Sequence, residues 1–193
     1  MEFERLIGSQ YKTAVYSIAG EQAVGLLCRI QNGGGPKGLN VRVVMVMIGT
    51  NDIFTLTPEE VDSAEQVADT IFEVLEAVLD ELAAQAPAAK LVALSLPPLQ
   101  PQWGGDRERE RYQPVVDAVN ARLQRYAAQH APQVLYADCT SPFLLPGPGR
   151  RLDASLAPDG CHPEGPGAVV LAGCVLRALK EALGEGSNGG DES

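Results

Sequence analysis

The stretch that decides the fold is residues 41–48, VRVVMVMI, together with the four residues that follow, 49–52, GTND. Apart from Arg42, the first eight residues form an unbroken apolar and β-branched run, which is typical of a strand covered on both faces. Such strands occur in parallel sheets that have helices on both sides. The glycine and polar residues end the strand at the sheet edge where ligands of open α/β folds bind. The stretch therefore predicts the type of sheet and the position of a candidate site.

Strand and helix patterns alternate along the rest of the chain. We predict further strands at residues 13–18, 90–96 and 134–137, and helices at about 21–31, 67–82, 107–129 and 165–183. The predicted helices carry apolar residues spaced three and four apart, so each buries one face. This alternation implies βαβ crossovers and a parallel sheet between two helical layers. We interpret residues 1–183 as one domain and residues 184–193, rich in Gly, Ser and acidic side chains, as a disordered tail.

The charge and the cysteine content of the chain exclude several classes of protein. The formal net charge is -10, and no basic stripe is present, so a nucleic-acid partner is excluded. No apolar run approaches the ~20 residues that span a bilayer, and the first residues do not follow the pattern of a signal peptide. The four cysteines have wide, irregular spacing, so we expect reduced thiols, a cytoplasmic location and no metal or other cofactor. A targeting segment upstream of Met1 is left open.

Three places at predicted strand ends or before the last helix carry glycine or polar residues. Gly20 follows the first predicted strand, Asn51 follows the second, and Asp159 and His162 bound the sequence DGCH before the last helix. Taken alone, Gly20 is an ordinary turn, Asn51 is an Asx turn or a helix cap, and DGCH is a loop. However, the carboxyl ends of parallel strands meet at one edge of a sheet. We therefore expect the three places to form one site.

The order and spacing of these residues resemble the SGNH or GDSL family of ester hydrolases. Residues 43–52 resemble the third block of the family, an apolar strand followed by G-x-N-D, and Asp159 and His162 resemble the D-x-x-H of its fifth block. Residues 16–21, YSIAGE, and 26–33, LLCRIQNG, resemble its second block in the form found in relatives of intracellular platelet-activating-factor acetylhydrolase. The resemblance implies a flavodoxin-like, three-layer α/β/α fold and hydrolysis of a carboxylic ester with a short acyl group, such as acetyl.

The resemblance also implies a role for each matched residue. His162 would be the general base, because an imidazole can take a hydroxyl proton at neutral pH and return it to the leaving alcohol. Asp159 would hold the other ring nitrogen and stabilise the imidazolium. The backbone N–H of Gly20 and the side-chain amide of Asn51 would donate to the developing oxyanion. The implied substrate is a small-molecule ester, and a homo- or hetero-dimer is left open.

The nucleophile of the family has no match in this chain. The family serine lies in a Gly-Asp-Ser turn after the first strand, and that sequence does not occur in the 193 residues. Ser9 follows a segment too short to hold a buried strand and a crossover helix, and Ser17 falls within the predicted strand 13–18. Ser95 and Ser155 have no neighbours in the sequence that would activate a hydroxyl. We therefore assign no nucleophile within these residues.

The missing block also has a structural consequence. In the strand order of the family, the first strand lies between the second and the third, so its absence leaves two strand edges unpaired. The two flanking strands pair directly, or another chain supplies the strand, or the sequence is an N-terminally truncated version of a longer protein. We favour truncation. The alternative function is a catalytically inactive SGNH fold that serves as a binding or hetero-oligomer module.

Other candidate residues and functions have weaker support. His130 near a helix end is interpreted as solvated, and Cys161 beside His162 lacks further metal ligands at suitable spacing. Trp103 and Tyr112 line either an acyl pocket or the core. A flavodoxin-like nucleotide or receiver domain is disfavoured, because the chain contains neither GxxxxGK nor GxGxxG.

Overall fold

The structure, a computed structural model, describes residues 4–55, 63–101, 106–147 and 151–185. The strands in these ranges are β1 (Val43–Val46), β2 (Lys90–Leu94) and β3 (Val134–Ala137). The helices are α1 (Ala23–Arg29), α2 (Thr50–Phe54), α3 (Ala64–Gln85), α4 (Asp106–Gln129) and α5 (Pro166–Leu183). Shorter helical turns occupy Glu4–Gly8, Ile30–Gly34 and Ser141–Phe143.

The three strands form one parallel sheet in the order β1-β2-β3. Met45 of β1 pairs with Val92 of β2, and Val92 pairs with Leu135 of β3. Because the strands run in the same direction, the segments that follow them leave from the same carboxyl edge of the sheet. This edge receives the residues that the sequence singles out after residues 41–48.

Helices cover both faces of the sheet. On one face, α3 and α4 bury their apolar stripes with the help of α1; this core contains Ile71, Leu75, Val78, Val115, Val119 and Leu123. On the other face lie α5 and the turn Glu4–Gly8; this core contains Ile7, Val92, Leu94, Val175 and Leu179. The predicted three-layer α/β/α arrangement with a parallel sheet is therefore confirmed, although the sheet has few strands.

The predicted strand at residues 13–18 is wrong. Residues 12–18 have no regular secondary structure, and every residue from Lys12 to Gly20 is exposed. Val15, Tyr16 and Ile18 are among the most exposed large apolar side chains of the described ranges, at 56–65%. The sequence pattern of a strand is present, but no neighbouring strand donates or accepts the backbone hydrogen bonds that would form it.

The prediction that all four cysteines are reduced is also wrong. Cys139, two residues after β3, forms a disulfide with Cys174 of α5, and their Cα atoms are 5.7 Å apart. Cys28 and Cys161 are free. The bonded pair is 35 residues apart in sequence, and only the packing of α5 on the sheet brings them together. The cytoplasmic location stays a prediction.

Two other expectations concern the ends of the described ranges. Gly184 ends α5 in a left-handed conformation, and Glu185 accepts a hydrogen bond of 2.7 Å from the Tyr11 hydroxyl. The first two residues of the predicted tail therefore end α5 and bond to Tyr11, while residues 186–193 and Trp103 lie outside the described residues. The single domain and the disordered tail stay predictions. Among the helices described here, none is long and apolar enough to cross a membrane.

Candidate active site

Asp159 and His162 form a hydrogen-bonded pair in the loop before α5. Asp159 Oδ2 lies 2.6 Å from His162 Nδ1. The other oxygen, Oδ1, accepts the backbone N–H groups of Cys161 at 2.8 Å and His162 at 2.7 Å. The carboxylate therefore fixes both the ring and the backbone of the histidine, as an Asx turn does. The predicted contact between these two side chains is observed.

The charge of Asp159 is stabilised by this arrangement. Burial alone would raise the pKa of the carboxyl, but hydrogen bonds from the backbone and ring of His162 and from the Cys161 N–H outweigh it and lower the pKa. An ionised Asp159 holds Nδ1 as the protonated nitrogen, so that Nε2 carries the lone pair of the neutral ring. The His162 side chain is 71% exposed, so this nitrogen is accessible from solvent.

Gly160 explains how the loop is held in place. Its φ of +81° lies in the region that favours glycine, and a Cβ atom at this position would come within 1.9 Å of the Gln100 carbonyl oxygen. The Gln100 N–H in turn donates to the Gly160 carbonyl at 2.9 Å. The loop that carries Asp159 and His162 is thereby fastened to the segment after β2. The sequence analysis did not single out Gly160, although a glycine between two polar residues is a signal for such a close approach.

Cys161 contacts His162 but lacks the features of a nucleophile. Its Sγ atom lies 4.0 Å from His162 Nε2, which is too long for a strong hydrogen bond. The residue is buried, and burial followed by the charge of Asp159 raises the pKa of the thiol to about 11. At neutral pH the thiolate is therefore scarce. Nor do the described residues include any cluster of three or more His, Cys, Asp or Glu that could hold a metal ion.

Gly20 and Asn51 lie together at the carboxyl end of β1. The Asn51 side-chain amide donates to the Glu21 carbonyl at 2.9 Å. This bond uses one of its two N–H groups and leaves the second available for another acceptor. Gly20 has a φ of +75°, and within the described ranges its N–H has no hydrogen-bond acceptor. Two donors are therefore present beside each other at this edge.

Asp52 fixes the loop that contains Gly20. Both oxygens of its carboxylate accept the Ala23 N–H at the start of α1, at 3.2 and 3.1 Å. Burial raises the pKa of Asp52, partly offset by its hydrogen bonds, the Ala23 N–H first among them. A second interaction joins this loop to α1, since both carboxylate oxygens of Glu21 accept hydrogen bonds from the Arg29 guanidinium, at 2.9 and 2.7 Å. Asp52 thus binds the first N–H of α1 from a distant part of the chain, a positioning role that the sequence analysis missed.

The structure brings each predicted pair together but shows no direct bond between the pairs. No hydrogen bond joins Gly20 or Asn51 to Asp159 or His162 among the described residues. The pairs share the carboxyl edge of the sheet, one after β1 and the other against the segment after β2. β1 is an edge strand of the described sheet, because β2 is its single neighbouring strand there.

No serine of the described ranges donates a hydrogen bond to His162. Ser9 Oγ donates to the Arg5 carbonyl, and Ser155 Oγ donates to Asp153. Ser95 is fully buried, where its Oγ accepts the Cys139 N–H at 2.8 Å. Ser17 is exposed in the irregular segment. The assignment of no nucleophile to these residues stays a prediction.

The remaining side chains of interest have structural roles. The Tyr112 ring packs edge-to-face on Phe54 with centroids 5.7 Å apart, at the rim of the core. His130 stacks on Tyr126 with centroids 4.0 Å apart, and its Nδ1 lies 2.8 Å from the Tyr126 carbonyl oxygen. No hydrogen bond or ring contact of the described residues joins either of them to Gly20, Asn51, Asp159 or His162.

Comparisons with solved structures find proteins of the same fold. The chain is similar to a protein from Streptococcus pneumonia provisionally named a platelet activating factor, with a TM-score of 0.72, 21% identity, and coverage of 92% of this chain and 77% of that one. It is also similar to a GDSL-like lipase from Bacteroides thetaiotaomicron, with a TM-score of 0.66, 22% identity, and coverage of 93% and 82%. A third similar structure is a carbohydrate esterase of family 3 from Talaromyces cellulolyticus, with a TM-score of 0.56 and 22% identity. The match covers 87% of this chain and 70% of that one.

These structural likenesses show the fold. The chain matches none of the curated proteins searched. The sequence pattern of the GDSL-like Lipase/Acylhydrolase family, however, matches residues 2–169, which is most of the chain and includes both halves of the candidate site. The chain therefore belongs to the GDSL-like Lipase/Acylhydrolase family.

Proposed function

We propose that this protein supplies the base and oxyanion-binding part of a serine ester hydrolase that acts on carboxylic esters with short acyl groups. The observation that carries the proposal is the Asp159–His162 pair, in which the carboxylate holds Nδ1 and leaves Nε2 exposed. This is the arrangement that a general base requires. Gly20 and Asn51 supply two N–H donors at the same edge of the sheet. The serine comes from a polypeptide segment that the 193 residues do not contain.

The reaction follows from these groups. The serine hydroxyl adds to the ester carbonyl carbon while its proton passes to His162 Nε2, and Asp159 stabilises the resulting imidazolium. The carbonyl oxygen becomes an oxyanion, which accepts hydrogen bonds from the Gly20 N–H and from the second N–H of Asn51. The C–O bond to the alcohol then breaks, and the alcohol leaves with the proton from Nε2. Water repeats the sequence on the acyl-serine and releases the carboxylic acid.

Hydrolysis of p-nitrophenyl acetate tests the proposal. We expect the 193-residue chain to show no rate above background, because no hydroxyl of the described residues bonds to His162 Nε2. A longer form translated from the natural upstream reading frame should hydrolyse the ester, and p-nitrophenyl octanoate more slowly. Absence of a rate in a longer form that carries Gly-Asp-Ser would contradict the proposal.

Variants of that longer form assign the roles. His162→Ala should lower kcat by at least ~10⁴, and Asn51→Ala by about 10²–10³, the usual effect of removing one oxyanion donor. The matched control is Asn32→Ala, because Asn32 is exposed and bonds only within its own turn. An equal loss in the Asn32 and Asn51 variants would show that Asn51 acts through stability and not as a donor.

A second function is favoured by the open edge of β1. In that case the chain is a non-catalytic module that assembles with an intact homologue through this edge. Co-expression with such a homologue and size-exclusion chromatography would detect a complex. A stable monomer that has no partner would count against this second function.

A further inference from the structure

The segment that follows β2, residues 96–101, is held in place by α4. Three of its residues are prolines, which fix the backbone angle φ and have no N–H to satisfy. The N–H of Leu96 donates to the Asn120 side chain at 2.7 Å. The N–H of Leu99 donates to the Gln113 side chain at 3.1 Å. Both side chains belong to α4 and are buried, so the segment has a fixed position from which it can hold other parts of the chain.

The remaining N–H of this segment, that of Gln100, binds the loop that carries Asp159 and His162. We call residues 152–162 the base loop. The Gln100 N–H donates to the Gly160 carbonyl at 2.9 Å. The Gln100 carbonyl oxygen is so close to Gly160 that a Cβ atom there would come within 1.9 Å of it. The two backbones are therefore in contact, with no side chain between them.

The side chain of Gln100 holds the beginning of the same loop. Its Oε1 atom accepts the Leu152 N–H at 3.0 Å. The groups on either side of Leu152, the Arg151 carbonyl and the Asp153 N–H, bond to the opposite side of a short antiparallel bridge. Backbone groups alternate in direction along an extended chain, so the Leu152 N–H points the other way, towards Gln100. One glutamine therefore binds the base loop at its first residue and at Gly160.

Between these two contacts the base loop is shaped by its own backbone and by apolar packing. The Gly160 N–H donates to the Ala157 carbonyl at 2.9 Å, a bond within the loop. The Cys161 side chain is buried in the same core as Leu99, but apolar packing has no preferred direction. The hydrogen bonds of Gln100 are directional and join the loop to the segment after β2.

We propose that Gln100 is a positioning residue for the Asp159–His162 pair: its side-chain oxygen and its backbone hold the base loop in the orientation in which the His162 ring meets Asp159. It acts through the loop and takes no part in making or breaking bonds. Without the side-chain oxygen, the Leu152 N–H loses its acceptor and the beginning of the loop is released. The pair then opens more often, although the backbone bond to Gly160 can still form.

The inference deepens the proposed function, because it rests on His162 as the general base proposed above. Its tests observe the ring and the backbone of His162 without substrate. If these observations show no change, the inference is wrong, whatever the rate of ester hydrolysis. If they change as expected and the longer form has no esterase activity, only the proposed function is wrong.

Nitrogen NMR of the histidine rings in the 193-residue protein tests the inference. Gln100→Leu keeps the approximate size of the side chain and removes the acceptor oxygen, whereas Gln100→Glu keeps an acceptor at the same reach. With the ring neutral, the leucine variant should raise the fraction of His162 protonated at Nε2 about threefold, because Asp159 holds Nδ1 less often. The glutamate variant should keep the native fraction. The chain has two histidines, so His130 of the same spectrum is the internal control and should not change.

Amide hydrogen exchange measures how often the pair opens. The N–H groups of Cys161 and His162 donate to Asp159 Oδ1, so they exchange when these bonds break. Gln100→Leu should speed both about tenfold, the usual effect of losing one hydrogen bond and leaving its donor without a partner. Gln100→Glu should restore the native rates.

Val92→Ala separates positioning from stability. It truncates a buried residue of β2 and lowers the stability of the fold without touching Gln100, so both amide rates and the His162 ring should stay native. Equal acceleration in Val92→Ala and Gln100→Leu would mean that Gln100 acts through overall stability, which overturns the inference. An unchanged His162 ring in Gln100→Leu, or the same change in Gln100→Glu, would also overturn it.

Discussion

β1 and β2 have similar sequences and different surroundings. VVMV in β1 and KLVAL in β2 are both apolar runs that predict a strand covered on both faces. In β2 the four residues after Lys90 are buried, whereas all four residues of β1 are only half-buried. The difference is the number of neighbouring strands, since β2 has two and β1 has one. The apolar sequence of β1 is therefore typical of a strand with a neighbour on each side, but in the described sheet β1 has a neighbour on one side.

The contrast extends to the two sides of the sheet. On the side of β2 and β3, Asn120 of α4 accepts the Leu96 N–H at 2.7 Å and donates to the Leu96 carbonyl and Thr140 Oγ1. Thr140 donates to Ser95 Oγ at 2.7 Å, and the Cys139–Cys174 disulfide joins this region to α5. We call this side closed and the side of β1 open. The closed side supports Asp159 and His162, and the open side supports Gly20 and Asn51.

Removing the disulfide should have the largest effect, because it links the closed side to α5. Closing a loop of 35 residues restricts the unfolded chain, so replacing Cys139 and Cys174 by Ala should lower the free energy of unfolding by about 3–4 kcal/mol. Urea unfolding measures the change. The control is Cys28→Ala, at an exposed free cysteine. If four thiols react in the denatured native protein without reductant, the bond does not form.

Asn120→Ala tests the hydrogen-bond network of the closed side. The variant leaves the buried N–H and C=O of Leu96 without their partner, which should cost about 3 kcal/mol. Gln124→Ala, on the exposed face of the same helix, should change stability by less than about 0.5 kcal/mol. Equal effects of the two variants in urea unfolding would contradict the assigned network.

Val92→Ala and Val43→Ala compare the two strands directly, because both valines lie on the α5 face of the sheet. Val92 is 1% exposed, so its truncation should cost about 2–3 kcal/mol. Val43 is half-buried, and we expect about 1 kcal/mol. If the two costs are equal, β1 is as well covered in solution as β2, and the contrast between the two sides fails.

The pattern of apolar residues was sufficient to predict most of the fold. It predicted β1, β2, β3 and the long helices α3, α4 and α5 to within a few residues, because in each case burial and periodicity agree. It failed at residues 13–18, where a strand depends on a neighbour that the pattern cannot supply. It also failed for Cys139 and Cys174, whose proximity depends on tertiary packing.

The candidate site was predictable where its residues are close in sequence. Asp159 and His162 are three residues apart, so the sequence could predict their contact. The strand 13–18 that was expected to bring Gly20 to the sheet edge is absent, so the bond from Asn51 to the Glu21 carbonyl depends on tertiary packing. Asp52 and Gly160 were missed as positioning residues, because their partners Ala23 and Gln100 are distant in the chain. The catalytic roles of all four predicted residues stay predictions.

The smallest effect concerns the pH dependence of the Asp159–His162 pair on the closed side. Because the pKa of Asp159 is lower in the folded protein than in the unfolded chain, the folded state binds fewer protons in acid. The contribution of the pair to the free energy of unfolding is fully present at pH values above the ordinary carboxyl pKa of about 3.9. It is lost as the pH falls through the lower pKa of the folded protein. With side chains 38% and 71% exposed, solvent screening limits it to about 0.5 kcal/mol.

Urea unfolding at pH 6 and pH 3 measures this contribution in the native protein and in Asp159→Asn. The variant should be less stable than the native protein at pH 6, and the difference should shrink at pH 3, where Asp159 is increasingly protonated. Glu164→Gln, an exposed carboxylate of the same loop, controls for the change in net charge. A difference that is the same at both pH values would mean that the ion pair does not form in solution. Since the loop is fastened to the closed side through Gly160 and Gln100, the same difference is expected whatever the state of the open side.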